Sequence, residues 1–403
     1  MEIEGIKALD GIRILDIAGR EAAFCSRLLA DMGASVTKIE SPEGDPARYE
    51  GPFYGQMPHP EKSISFWYNN AGKRGITLNL ETNKGQEILC LLSRKTDVII
   101  ESYSPGYLKG LGLDYVALSQ ANPSIIMASI TGFGQSGPYR YYKSCNIAAA
   151  ATGGQMSLNG TAGNTPLQLH GQQTYYTASL FAAIGILLAL RERRASRRGQ
   201  HIDISLQEAT ASTLEHAMVR YFYENIISRR QGNHHWNNAF FLLPCEEGKI
   251  LLSPFMQWDI LVNWLQSEGM AGNLCSEEWQ SEDYRLNHLD YILDILKSWT
   301  KTHTSTELFE TAQLMRLPWA PVVNLEDVCH NPQLEARGFF VALHHPETGA
   351  TFSYPGAPYL FSRSPWHISG WAPRLGEHNI RFYSQELGFT QDKLDALHLQ
   401  NVI

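Results

Sequence analysis

The chain has 403 residues, 43% hydrophobic and 18% charged, with a formal net charge of −8 and a pI near 6.0. That length suits two domains, or one large domain with an insertion, and the composition is that of a folded rather than a disordered protein. An acidic total argues against a general nucleic-acid binder but leaves room for a local basic site for a phosphorylated cofactor. The first residues, MEIEGIKALDGIRILDIAG, lack the basic region, apolar core and small-residue cleavage site of a secretion signal. Six cysteines (25, 90, 145, 245, 275 and 329) are scattered without metal-ligand spacing. They read as reduced, mostly packed thiols of a cytoplasmic protein, with Cys145 the one open to a reactive role. No metal site is expected.

In chain order, IRILDIA reads as a strand, EAAFCSRLLADMG as a helix closed by Gly33, and ASVTKIE as a second strand. Strand, helix and strand within about 30 residues predict parallel pairing through a right-handed crossover. Gly19 is alone in the first turn, so the closely spaced glycines of a nicotinamide-binding Rossmann domain are missing. Arg20, beside a helix start, could meet a phosphate or could be a solvated loop residue. Lys38 reads as the partner of a nearby carboxylate. Residues 42–72, rich in Pro, Gly and Tyr, read as a long loop over a site. A strand (ITLNL) and an amphipathic helix (GQEILCLLSRK) follow Lys73 and Arg74, which could serve a phosphate or ordinary salt bridges. DVII then forms a buried strand whose end places Glu101, Ser102 and Tyr103 where ligands of open α/β sheets bind. A further strand leads into the glycine-rich loop SITGFGQSGPY.

The central segment runs from Leu167 to Ala209. Rich in Ala and Leu and free of Pro, its middle predicts a helix, and its small residues predict one buried deep in the core. The apolar run falls short of the roughly 20 residues of a membrane span. Arg191, Arg193 and Arg194 stand at its C-terminus, where the helix dipole favours cations. Beyond residue 210 come a helix (TLEHAMVRYFYENII) and RRQGNHHWNN, whose adjacent histidines read as a polar loop rather than a metal site. A smaller insertion follows, with helices near 257–268, 276–300 and 305–316 and a closing strand at 318–323. A last helix is expected near 379–398.

The sequence LFAAIGILLAL followed by RE and DISLQEA, together with S-x-x-G-F-G-x-x-G-P-Y, DVIIESYSPGYLKGLGL, HNPQLEARGFF and PRLGEHN, resembles the class III CoA-transferases. This family includes formyl-CoA and carnitine CoA-transferases, and its fold also houses acyl-CoA racemases. The resemblance covers nearly the whole chain. It implies an α/β fold with a large Rossmann-like parallel-sheet domain, a smaller α/β domain, and an interlocked dimer. The corresponding boundaries are 1–210 for the first part of the large domain, 211–240 for a linker, 241–325 for the small domain and 326–403 for the return. It further implies coenzyme A as substrate or acyl-CoA, with contacts at Arg20, Leu78, Ser102, Tyr103, Lys109 and Lys143, and with Ser41 nearby. Ser102 stands where the family carries Asn, and loses the amide's donors.

In that family an Asp four residues before the small residue opening the helix attacks the thioester. Here that position is Tyr175, and no Asp or Glu occurs from Tyr115 to Arg191. Asn146 also replaces an Asp, and Cys145 with Asn146 does not recreate the His–Asp pair of the racemase branch. His170 could be a base or a structural hydrogen-bonding residue. Three readings follow. The chain is one subunit of a heteromeric CoA-transferase whose Asp-bearing paralogous partner carries the chemistry, for example from succinyl-CoA to an aromatic dicarboxylic acid such as benzylsuccinate. Alternatively it is an acyl-CoA enzyme of the same fold using Tyr175 or His170, or a noncatalytic acyl-CoA-binding protein. Partners beyond these acids, acyl-CoA and the paralogous chain, such as nucleic acid or membrane, are not expected.

Overall fold

The computed structural model describes residues 7–232 and 239–403, so the His pair at 234 and 235 lies outside the described residues. The chain divides into two compact units. One comprises residues 1–157, 168–227 and 338–403, the other residues 158–167 and 228–337.

The larger unit is built on a six-stranded sheet. Its strands are β1 (Arg13–Asp16), β2 (Ser35–Glu40), β3 (Arg74–Thr77), β4 (Val98–Glu101), β5 (Ile126–Thr131) and β6 (His201–Ser205). They lie in the order β3-β2-β1-β4-β5-β6 and every pair is parallel. Side chains alternate between faces with the strand period of two. Ile14, Val36, Val98, Ile100, Ala128 and Ile130 face one core with the central helix. Leu15, Ile39, Ile76, Ile99 and Met127 face another with the helix Asn83–Ser93 and the C-terminal helices. Both faces being covered explains why the strands read as continuous apolar runs.

The central helix spans Gln173–Ser196. Ala178, Ala182, Ala183, Ile186 and Ala189 pack on the sheet, and a Cβ on Gly185 would lie 3.3 Å from Ile202. Burial is one-sided, however. Leu180, Phe181, Ile184, Leu187 and Leu188 are exposed on the opposite face, so the deeply buried helix expected from the sequence is only half buried in this chain. The small residues serve the sheet, and the large apolar ones point away from it. By length and composition it is also the one helix among the described residues that could cross a membrane.

The expected C-terminal helix is two, Asn379–Leu387 and Gln391–Leu399. Gly388, at φ +67°, ends the first in the left-handed conformation that glycine adopts without penalty. The same unit carries the hairpin β10 (Phe340–His344) and β11 (Thr351–Pro355). The smaller unit holds an antiparallel sheet of β7 (Phe241–Pro244), β8 (Lys249–Leu252) and β9 (Ala320–Pro321). Its helices Trp258–Ser267, Leu289–Thr300 and Ser305–Leu314 enclose a core with Trp258, Trp264, Trp299 and Trp319.

Candidate functional site

Open parallel sheets present ligand sites beyond the carboxyl ends of their strands, where the connections diverge. Here the divergence lies between β1 and β4, from which the strand order runs outward both ways. A cavity of about 390 Å³ opens at these strand ends, walled in part by Gly19, Ser41, Leu78, Ser102 and Tyr103. The Leu78 amide donates to the Glu40 carbonyl at 2.7 Å, extending the ladder past β3. The Gly19 amide donates to Ser102 Oγ at 2.9 Å, so this serine ties the end of β4 to the end of β1. Tyr103 stacks on Tyr107 with centroids 4.6 Å apart. Burial pushes the Tyr103 phenol above its ordinary value, which keeps it neutral at pH 7.

Charges around this cavity are largely paired. Lys38 donates to Asp45 (2.7 Å) and to the Ala18 carbonyl, as the sequence reading of an ion-paired lysine expects. Arg48 holds Glu40 and Glu61. Lys73 is enclosed by Asp16 (2.9 Å), Asn70 (2.7 Å) and the Ala23 carbonyl, and Arg74 bonds Ser35 and Thr37. Lys73 and Arg74 line a different cavity, of about 680 Å³, together with His345, Arg374 and His378.

The six residues carried over from the family resemblance are not brought to one place. Leu78, Ser102 and Tyr103 share the cavity. Arg20 follows Gly19 at its edge, with Nη1 on Glu50, Nε 3.9 Å from Glu21, and Cζ 5.8 Å from the centre of the Tyr175 ring. Lys109 lines a separate hollow of about 280 Å³ with Glu101, Ser129, Arg140 and His201. Lys143 is exposed on the glycine-rich loop and lines neither.

Tyr175 lies in the first turn of the central helix and is 3% exposed. Burial raises its phenol above the ordinary value and Glu21 adds to this, with Arg20 opposing. A buried phenol so placed stays protonated at pH 7 and is a poor nucleophile. Asn146 caps the same turn. Its Oδ1 accepts from the Thr174 amide (3.2 Å) and hydroxyl (2.8 Å), and its Nδ2 donates to the Gly171 carbonyl. Cys145 is half-buried just before Asn146, and His170 is exposed before the helix. Among the described residues, no cluster of His, Cys, Asp or Glu is placed to hold a metal ion.

The second hollow contains groups that sequence reasoning did not connect. Glu101 is buried and accepts from the Tyr103 amide at 2.7 Å. Burial, with a smaller push from Asp203, brings its carboxyl up to about 7 against the pull of Ser129. Ser129 Oγ lies 2.8 Å from His201 Nε2. These side chains meet only because Glu101 pairs with Ser129 and Met127 with His201 in the sheet register. No local motif announces that.

A family model described as CoA-transferase family III matches residues 9–379. The chain belongs to CoA-transferase family III. It is 33% identical to the succinyl-CoA:(R)-benzylsuccinate CoA-transferase subunit BbsE of Thauera aromatica, over 96% of this chain and 95% of that one. It is 30% identical to a formyl-CoA:oxalate CoA-transferase of Streptomyces avermitilis, covering 98% and 100%. The succinyl-CoA–L-malate CoA-transferase beta subunit of Chloroflexus aurantiacus is also 30% identical, with 98% of each chain covered. Among solved structures, a CaiB/BaiF family protein from Brucella suis superposes with a TM-score of 0.84 and 27% identity, covering 94% of this chain and 99% of that one. The α/β architecture is therefore that of family III.

Proposed function

We propose that this chain is a subunit of a class III CoA-transferase that moves CoA between carboxylic acids, and that an Asp-bearing paralogous chain completes the enzyme. Succinyl-CoA as donor and an aromatic dicarboxylic acid such as benzylsuccinate as acceptor fit the relatives, two of which are named as subunits of succinyl-CoA-dependent transferases. The observation that carries the reading is Tyr175. It occupies the helix-start position that the family resemblance assigns to the nucleophilic carboxylate, and it is a buried neutral phenol. Transfer without loss of thioester energy needs a carboxylate that forms an anhydride with the acyl group and then a thioester with the released CoA thiolate. A phenol held protonated does not supply one. In this reading Leu78, Ser102 and Tyr103 receive the nucleotide end of CoA, while Lys109 and Lys143 supply charge to its phosphates. The chain works in the cytoplasm, consistent with its six unpaired thiols.

Native mass spectrometry of the protein purified from its own cells tests this reading. The expected result is a mixed assembly with a related chain carrying Asp at the helix start, and transfer activity only in that assembly. A homomer that transfers CoA unaided would overturn it and point to chemistry within this chain.

A further inference from the structure

Arg20 differs from the other cations at this end of the sheet. The side chains of Arg27, Arg48, Lys38 and Lys73 are at most 2% exposed, and each is held by at least two acceptors. Arg20 is 35% exposed, and its closest partner, Glu50, is 38% exposed. A pair as open as this contributes little net stability, so breaking it costs little. Glu50 sits on the loop after β2, where its carbonyl accepts from Ser63 Oγ at 2.6 Å. That bond fixes the backbone and leaves the carboxylate free to swing out.

We propose that Glu50 occupies the place of a ligand's carboxylate, and that Arg20 binds the free carboxylate of a dicarboxylic acyl group such as succinyl. The inference rests on reading this end of the sheet as an acyl-CoA site. Tyr175, beneath the guanidinium, marks where that reading puts the acyl end of the thioester. The planar guanidinium fork matches a carboxylate with two parallel hydrogen bonds. Glu21 approaches on the Nε side, and Glu50 takes Nη1. Exchanging Glu50 for a ligand carboxylate therefore leaves the local charge unchanged. The residue at 175 matters to this. An Asp there would add a further carboxylate on the inner side of the guanidinium, whereas a neutral phenol leaves only Glu50 and Glu21 for a ligand to compete with. Recognition of the second carboxylate and absence of the nucleophile are then two consequences of one substitution.

The test is calorimetric titration of the protein, in its native assembly, with CoA, succinyl-CoA and butyryl-CoA. The last two have acyl chains of equal length and differ in the distal carboxylate. Succinyl-CoA is expected to bind more tightly than butyryl-CoA by roughly tenfold, the scale of a hydrogen bond to a charged group. Arg20→Gln should abolish that preference, and Glu50→Gln should enlarge it by removing the competing carboxylate. Equal binding of the two thioesters, or a preference that survives Arg20→Gln, overturns the assignment while leaving the CoA site intact. Failure of CoA itself to bind overturns the assignment together with the acyl-CoA site on which it rests.

Discussion

Glu101 is a carboxyl that folding moves from 4.5 to about 7, chiefly by burial at the end of β4. Between these values the folded chain keeps a proton that the unfolded chain has released. Stability attributable to this residue therefore falls as pH rises from about 4.5 to 7, by about 3 kcal/mol in all, and is level above that window. Glu101→Gln keeps the shape and the acceptor for the Tyr103 amide but cannot ionise. Urea denaturation at pH 5 and pH 8 should show the variant gaining on the wild type at the higher pH. An unchanged difference between the two proteins would mean that Glu101 titrates normally. The sequence pointed to Glu101, Ser102 and Tyr103 because a strand end is a local feature. It could not show that Arg20 stands beside Tyr175 and Glu50, since that depends on side chains from three separated segments. Nor could it separate Lys109 from the cavity of Leu78, because the short helix Tyr107–Gly110 stands between two cavities, with Tyr107 lining that of Leu78 and Lys109 the other.

Among the elements, the parallel strands were legible because short apolar runs and amphipathic helices follow one another locally. The central helix was legible as a helix but not as a two-faced one. Composition reports that a helix is apolar all round, and only its neighbours decide which face is covered. The link from this helix to β6 is especially constrained. A Cβ on Gly199 would stand 1.7 Å from the Ile125 carbonyl oxygen, and the Gly199 amide is already bonded to the Pro123 carbonyl at 2.8 Å. Both contacts involve backbone at the mouth of a strand, so neither side can give way cheaply. Gly199→Ala is expected to lower stability by about 3 kcal/mol, the upper end of ordinary overpacking. Gly110→Ala, with nothing within 4 Å, serves as the control and should stay within about 1 kcal/mol of wild type. Thermal denaturation of the two variants separates the steric effect from the general loss of glycine freedom. Equal melting temperatures would refute it.

For the molecule as a whole, the uncovered face of the central helix is the feature that a single chain leaves unexplained. Leu180, Phe181, Ile184, Leu187 and Leu188 recur at helical spacing on the side away from the sheet, all between 44% and 61% exposed. Contiguous exposed apolar surface on a folded protein commonly marks an interface. Here it lies on the helix whose first turn carries Tyr175, so covering it would also set the surroundings of the candidate site. This supports the proposed assembly with a related chain, in which association and site formation are linked. Ile184→Asp places a charge at the centre of that face. It costs the isolated chain little, because the side chain is already half in water, but a buried unpaired carboxylate would strongly oppose association. Sedimentation velocity should therefore show the variant shifted from the assembly to the single chain, with its circular dichroism spectrum unchanged. Leu399→Asp, at a position 86% exposed on the last helix, should leave the sedimentation of the assembly as it was. If both variants sediment like the wild type, the face is not an interface, and the case for a partner would rest on Tyr175 alone.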